Sequence, residues 1–220
     1  MTLRVCVSIL PQTVAKALEL VARAEESGAD LLEVRLDALT EAQGLQELAA
    51  RGTKPKIATD KSGRAEAEHS RMLLAAAKSG FSYVDVDLSS PNLRKVVEDL
   101  KALGAKCIIS SHDDKRTPSL PELRRVLAKQ ILNGADMCKI VTTAKRMEDN
   151  LSLLQFTAEA STKANVVCFA MGEQGRISRV LSPAFGGFFT FASLARGSET
   201  APGQLTVEEV KAAYRLLGLE

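Results

Sequence analysis

The chain has 220 residues, of which 45% are hydrophobic and 25% charged, and its formal net charge is +2. That length suits one large soluble domain with a real core, and the near-neutral balance excludes a global electrostatic pull toward nucleic acid or a membrane. The apolar stretch around Val5 is too short for a secretion signal and no later run is long enough to cross a bilayer, so a cytosolic protein is expected.

In chain order, short apolar runs alternate with helical stretches. Strands are expected over 5–9, 31–36, 56–59, 83–88, 106–110, 137–141, 166–171 and 187–191. Helical stretches end at Gly28, Gly80, Gly104 and Gly134, each a few residues before the next strand. Glycine is a stop signal there because it takes the left-handed conformation without a Cβ clash. Helix starts are marked by Ser90 before Pro91, by Ser119 ahead of Pro121 and Glu122, and by Thr206 with Glu209 as a capping box, the last helix running to about Leu217.

Most of these strands are continuously apolar, as in a sheet covered on both faces. Eight βα units leave about 27 residues each, room for a strand, a helix and two short loops. The expected fold is a single-domain (β/α)8 TIM barrel over 1–220. A doubly wound open sheet is the alternative, but it normally carries a glycine-rich phosphate loop after its first strand, and Ser8-Ile9-Leu10-Pro11-Gln12 is nothing like one. Cys6, Cys107, Cys138 and Cys168 each fall in an apolar run without paired spacing, which reads as buried core rather than disulfide or zinc.

Chemistry in a barrel sits at the C-terminal ends of the strands. Lys139 lies inside the apolar run Ala135-Asp136-Met137-Cys138-Lys139-Ile140-Val141. Two readings are open. A desolvated lysine has its pKa pulled toward neutrality and can attack a carbonyl carbon to form a Schiff base, whereas a structural lysine in that place is a buried ion-pair partner. On the second strand the period of two puts Glu33, Arg35 and Asp37 on one face, either as a self-neutralising ladder or with Arg35 forked onto a substrate carboxylate or hydroxyls and Glu33 accepting from a hydroxyl. Asp85 and Asp87 on the fourth strand balance interior lysine and arginine charge.

His112, in Ser110-Ser111-His112-Asp113-Asp114, stands at the mouth as a candidate proton shuttle or, alternatively, a loop hydrogen-bonder. A metal site there is disfavoured, since adjacent residues of an extended chain point apart. The glycine-hinged loop from Met171 to Arg179 suits an anion. The polar loop from Gly197 to Gln204 is expected to fold over the mouth as a lid. His69 reads as a solvated helix residue.

Taken together these motifs resemble the type I 3-dehydroquinate dehydratases of the shikimate pathway. The likeness runs in order through Val7-Ser8, Glu33-Val34-Arg35-Leu36-Asp37, Ser110-Ser111-His112-Asp113-Asp114, Ala135-Asp136-Met137-Cys138-Lys139-Ile140, Met171-Gly172 with Ser178-Arg179, and Ala201-Pro202-Gly203-Gln204. The resemblance implies Lys139 as the Schiff-base lysine, His112 as general acid/base, and Ser8, Glu33, Arg35, Arg179, Thr200 and Gln204 as substrate-binding positions. It implies no metal or organic cofactor, a small carboxylate substrate, and a homodimer. Where the family usually has Thr-x-Arg on the third strand, this chain has Thr59-Asp60-Lys61, so Lys61 keeps the charge without the bidentate fork. The loop glutamate that orients the histidine in the family aligns approximately with Glu66. A class I aldolase or transaldolase, or a non-catalytic barrel that binds a small acid, are the rival readings.

Overall fold

A computed structural model of the chain describes residues 3–39 and 42–219. It contains eight parallel strands, β1 (Val5–Ile9), β2 (Leu31–Arg35), β3 (Lys56–Thr59), β4 (Tyr83–Asp87), β5 (Lys106–His112), β6 (Met137–Thr143), β7 (Val166–Met171) and β8 (Thr190–Ser193). Helices α1 (Val14–Glu26), α2 (Leu45–Ala50), α3 (Glu66–Lys78), α4 (Leu93–Ala102), α5 (Leu120–Leu132), α6 (Asp149–Ala160), α7 (Arg176–Leu181) and α8 (Val207–Leu216) follow them in turn. Neighbouring strands pair in the order β7-β6-β5-β4-β3-β2-β1-β8, a nearly closed (β/α)8 barrel. The four glycines expected to stop helices are all left-handed, with φ from 81° at Gly28 to 97° at Gly80. The Ser119–Glu122 and Thr206–Glu209 capping boxes both form. Among the described residues no helix is long and apolar enough to cross a membrane.

The period of two sorts each strand between two layers. Val7, Val34, Ala58, Val84 and Ile109 face outward into the core beneath the helices. The alternate residues point into the barrel, where Cys6, Leu31, Ile57, Ile108, Met137 and Val167 join an apolar floor. One step further along each strand the interior turns polar, with Ser8, Glu33, Thr59, Asp85, Ser110 and Lys139 all buried. The barrel is therefore filled from below by an apolar plug and capped by a charged layer. All four cysteines are buried and unpaired, as core residues.

Two element starts differ from expectation, and β5 and β6 each run two residues further than expected, to His112 and Thr143. The last strand begins at Thr190, not at 187, because Gly186 (φ 94°) and Gly187 close a 3-10 turn over Ser182–Phe185. A Cβ on Gly187 would come within 2.5 Å of Ser182 Oγ, so that glycine serves close backbone approach. Only at Thr190, whose N–H donates to Arg4 O at 3.0 Å, does the chain join the ladder with β1. Likewise α4 begins at Leu93 rather than at Pro91. The Asp87 carboxylate draws the Ser89 N–H (2.9 Å) and hydroxyl (2.6 Å) into a turn, and Asn92, left-handed at φ 56°, completes it before the helix starts.

Candidate active site

Lys139 is 6% exposed at the base of a cavity of about 370 Å³ that opens at the C-terminal ends of the strands. Its Nζ donates to Asp85 Oδ2 at 2.9 Å and lies 3.4 Å from Glu33 Oε1. Burial pushes the lysine pKa down, but the charges of Asp85 and Glu33 outweigh it and hold it above the ordinary value. The expected drop toward neutrality is thus corrected: the two carboxylates favour the ammonium form, and Lys139 is a buried ion-pair partner at the floor of a cavity. Its Nζ also sits 4.5 Å from the centroid of the Phe191 ring.

The two carboxylates are themselves held by neighbours of the same interior layer. Glu33 accepts from the Ser8 hydroxyl and, at 2.9 Å, from the Thr59 hydroxyl. Asp85 accepts from Ser110 Oγ at 2.6 Å and from Lys61 Nζ at 3.2 Å. Burial would raise the Asp85 carboxyl, yet Lys139 and Lys61 hold it far below the usual carboxylate range. Asp85 therefore balances interior lysine charge as expected, although its direct contact with Lys139 was not anticipated. Thr59 and Ser110 were also missed; their signal is the strand period, which puts both on the interior face.

Around the mouth stand Arg35, Lys61, His112, Arg179, Thr200 and Gln204. Arg35 forks onto Asp37, whose Oδ1 also accepts the Lys61 N–H at 3.0 Å and so ties the end of β2 to the loop after β3. Ser8 lies deeper, 1% exposed, with its hydroxyl committed to Glu33, and does not line this cavity. The Gln204 side-chain oxygen accepts from Thr200 N–H (2.7 Å) and lies 3.2 Å from the Thr200 hydroxyl.

Arg179 is 1% exposed, its guanidinium 4.3 Å from the Phe169 ring centroid. Among the described residues its Nε has no partner, and the one hydrogen bond of its guanidinium is a long 3.5 Å contact to Pro202 O. Burial lowers its pKa to about 10, which leaves it charged at neutrality. A buried guanidinium with an unmet donor at a cavity wall is poised for a carboxylate.

The loop over 197–204 behaves differently along its length. Residues 197–199 are exposed, but Pro202 O accepts the Gly172 N–H at 3.1 Å, and Gly203 packs so closely that a Cβ there would lie 2.3 Å from Gly172 O. Its second half packs on Gly172 and forms part of the cavity wall.

The two histidines fall on different sides. His112 lines the cavity, with Nδ1 3.8 Å from Asp87 Oδ2. His69 is not solvated: its Nδ1 is 3.4 Å from the buried Asp60 carboxylate, which raises its pKa, while Arg64 binds Asp60 at 2.7 Å. Glu66 opens α3 beside that cluster and does not line the cavity holding His112, so Asp87, not Glu66, is the carboxylate next to the histidine.

A family model described as type I 3-dehydroquinase matches residues 5–220. The chain belongs to that family. It is 38% identical over 221 residues to the 3-dehydroquinate dehydratase of Methanosarcina acetivorans, an alignment covering 92% of this chain and 91% of that one. With a Dehalococcoides mccartyi 3-dehydroquinate dehydratase it shares 38% identity over 198 residues, 87% of each chain. Among solved structures, the Geobacillus kaustophilus 3-dehydroquinate dehydratase superposes with a TM-score of 0.88 at 26% identity, covering 99% of this chain and 92% of that one. Membership makes the protein an enzyme of the hydro-lyase class, a dehydratase of the 3-dehydroquinate type.

Proposed function

We propose that the protein converts 3-dehydroquinate to 3-dehydroshikimate and water through a Schiff base on Lys139, with His112 moving the protons. The observation that carries this reading is the placement of a buried lysine amine, a histidine and a partly unpaired buried arginine around one cavity. The substrate carboxylate pairs with Arg179, which orients the ring so that its C3 ketone faces Lys139. Glu33 and Arg35 address the hydroxyls, with Lys61, Thr200 and Gln204 completing the wall.

Lys139 must first lose its proton, because the ammonium has no lone pair. The neutral amine adds to C3, and loss of the ketone oxygen as water leaves a protonated imine. That cation acidifies C2, and His112 takes the C2 proton to give an enamine. Collapse of the enamine expels the C1 hydroxyl as water, with His112 returning the proton it took. Hydrolysis of the conjugated imine then releases product and restores Lys139. The covalent lysine acts as the electron sink, so the chemistry balances without a metal or organic cofactor.

Mixing the protein with 3-dehydroquinate and following ultraviolet absorbance tests the reading. Growth of the conjugated enone band is expected, whereas aldol cleavage or inert binding leaves it flat. Anchoring and chemistry separate at Arg179: Arg179→Ala should raise KM by roughly tenfold to a hundredfold, matching about 1.5–3 kcal/mol for a charged hydrogen bond. An unchanged KM would move the carboxylate to Lys61 or Arg35.

A further inference from the structure

We propose that Asp87 is the positioning residue of His112, its carboxylate holding the imidazole in the tautomer that offers Nε2 to the cavity and stabilising the imidazolium once a substrate proton has been taken. The inference rests on the acid/base role of His112 argued above. Its basis is how the two carboxylate oxygens are used. Asp87 Oδ1 is occupied by the Ser89 N–H at 2.9 Å and the Ser89 hydroxyl at 2.6 Å. Oδ2 is turned the other way, 3.8 Å from His112 Nδ1 and 3.8 Å from Lys61 Nζ.

Sheet register makes this placement rigid. Asp87 pairs with Ser110 across β4 and β5, and His112 is two residues further on the same interior face. A carboxylate and an imidazole on adjacent strands are thus set side by side by the barrel, not by a loop. The separation of 3.8 Å is longer than a hydrogen bond and suits a pair that tightens when the ring becomes cationic. Burial raises the Asp87 carboxyl, but the nearby His112 ring and the hydrogen bonds from Ser89 hold it well below the usual carboxylate range, so a negative charge faces the ring throughout the neutral range.

Other charges around His112 do not supply that function. Asp85, one step deeper on β4, is engaged by Lys139, Lys61 and Ser110. Asp113 is turned into its own loop, accepting from the N–H groups of Lys115 and Arg116, and among the described residues Asp114, on the cavity wall, makes no ion pair with the ring. Lys61 competes for the same Asp87 oxygen and bridges it to Asp85, so it moderates the negative potential at the ring.

Asp87→Asn is the test, with 3-dehydroquinate turnover and imidazole nitrogen NMR as readouts. Expected are a kcat loss of about tenfold or more with KM within about twofold, and partial recovery in Asp87→Glu. In the unliganded wild-type protein the nitrogen shifts should report the Nδ1–H tautomer, and in Asp87→Asn a mixture. A wild-type ring carrying its proton on Nε2 would overturn the assignment whether or not the variant folds. So would full kcat in Asp87→Asn, a rise in KM alone, or a loss in Glu66→Gln with none in Asp87→Asn. Near-normal turnover in His112→Ala is a separate outcome: it removes the acid/base reading while leaving the tautomer measurement to decide the contact.

Discussion

Borohydride added during turnover with 3-dehydroquinate should leave a reduced substrate adduct on Lys139 and no other lysine, with irreversible loss of activity. The alternative amine is close: Lys61 lines the same cavity and shares Asp85 with Lys139. Burial and geometry separate them. Lys139 lies at the floor, boxed by Glu33, Asp85 and Phe191, whereas Lys61 stands at the rim beside Asp87. Lys139→Met should lose turnover by on the order of a thousandfold or more, the usual size of removing a covalent nucleophile. It also removes the cation paired with Glu33 and leaves Asp85 with Lys61 alone, which costs up to about 3–5 kcal/mol of stability for a broken buried pair.

That stability loss has a defined pH dependence. The folded Asp85 carboxyl is depressed by Lys139 and Lys61, so its contribution is present above the usual carboxylate pKa and lost as pH falls through the depressed folded value. The deficit of Lys139→Met should therefore be full at neutral pH and shrink as pH falls below the usual carboxylate range. Because the variant can be weakened for this structural reason, the adduct map on the wild-type protein carries the weight. Label on Lys61, or none under turnover, removes the Schiff-base assignment.

The barrel was legible because its signals are local and repeated. Each left-handed glycine, each capping box and each apolar strand announces itself within a few residues, and eight repetitions leave few architectures. Glu33, Arg35 and Lys139 stand out because charge on a buried strand is costly and therefore conspicuous. What the chain order hides is pairing across it. Lys139 and Glu33 are 106 positions apart, and their contact follows only from closure of the barrel. Without that contact a buried lysine reads as depressed in pKa, and with it the sign reverses. The same holds for Asp87 and His69, whose partners are set by strand register and by the fold of the loop after β3. At 187–191 and around Pro91 the local rule was outvoted by a close glycine contact with Ser182 and by the Asp87 turn.

His112→Ala should slow dehydration by about a hundredfold or more, the usual size of a general acid/base contribution. No other histidine is available to replace it, since His69 is committed to Asp60 outside the cavity. The substitution leaves the charged floor untouched: Glu33, Asp85, Thr59, Ser110 and Lys139 keep their mutual contacts. Condensation at Lys139 therefore continues while removal of the C2 proton and hydrolysis of the imine both stall. The variant should accumulate a covalent intermediate that intact-protein mass detects without borohydride. This accumulation separates loss of proton transfer from loss of binding, because a variant that merely failed to bind would show no adduct. Near-normal turnover would shift the base to Glu33, the remaining carboxylate within reach of Lys139 on the cavity wall, and return His112 to a hydrogen-bonding role at the mouth.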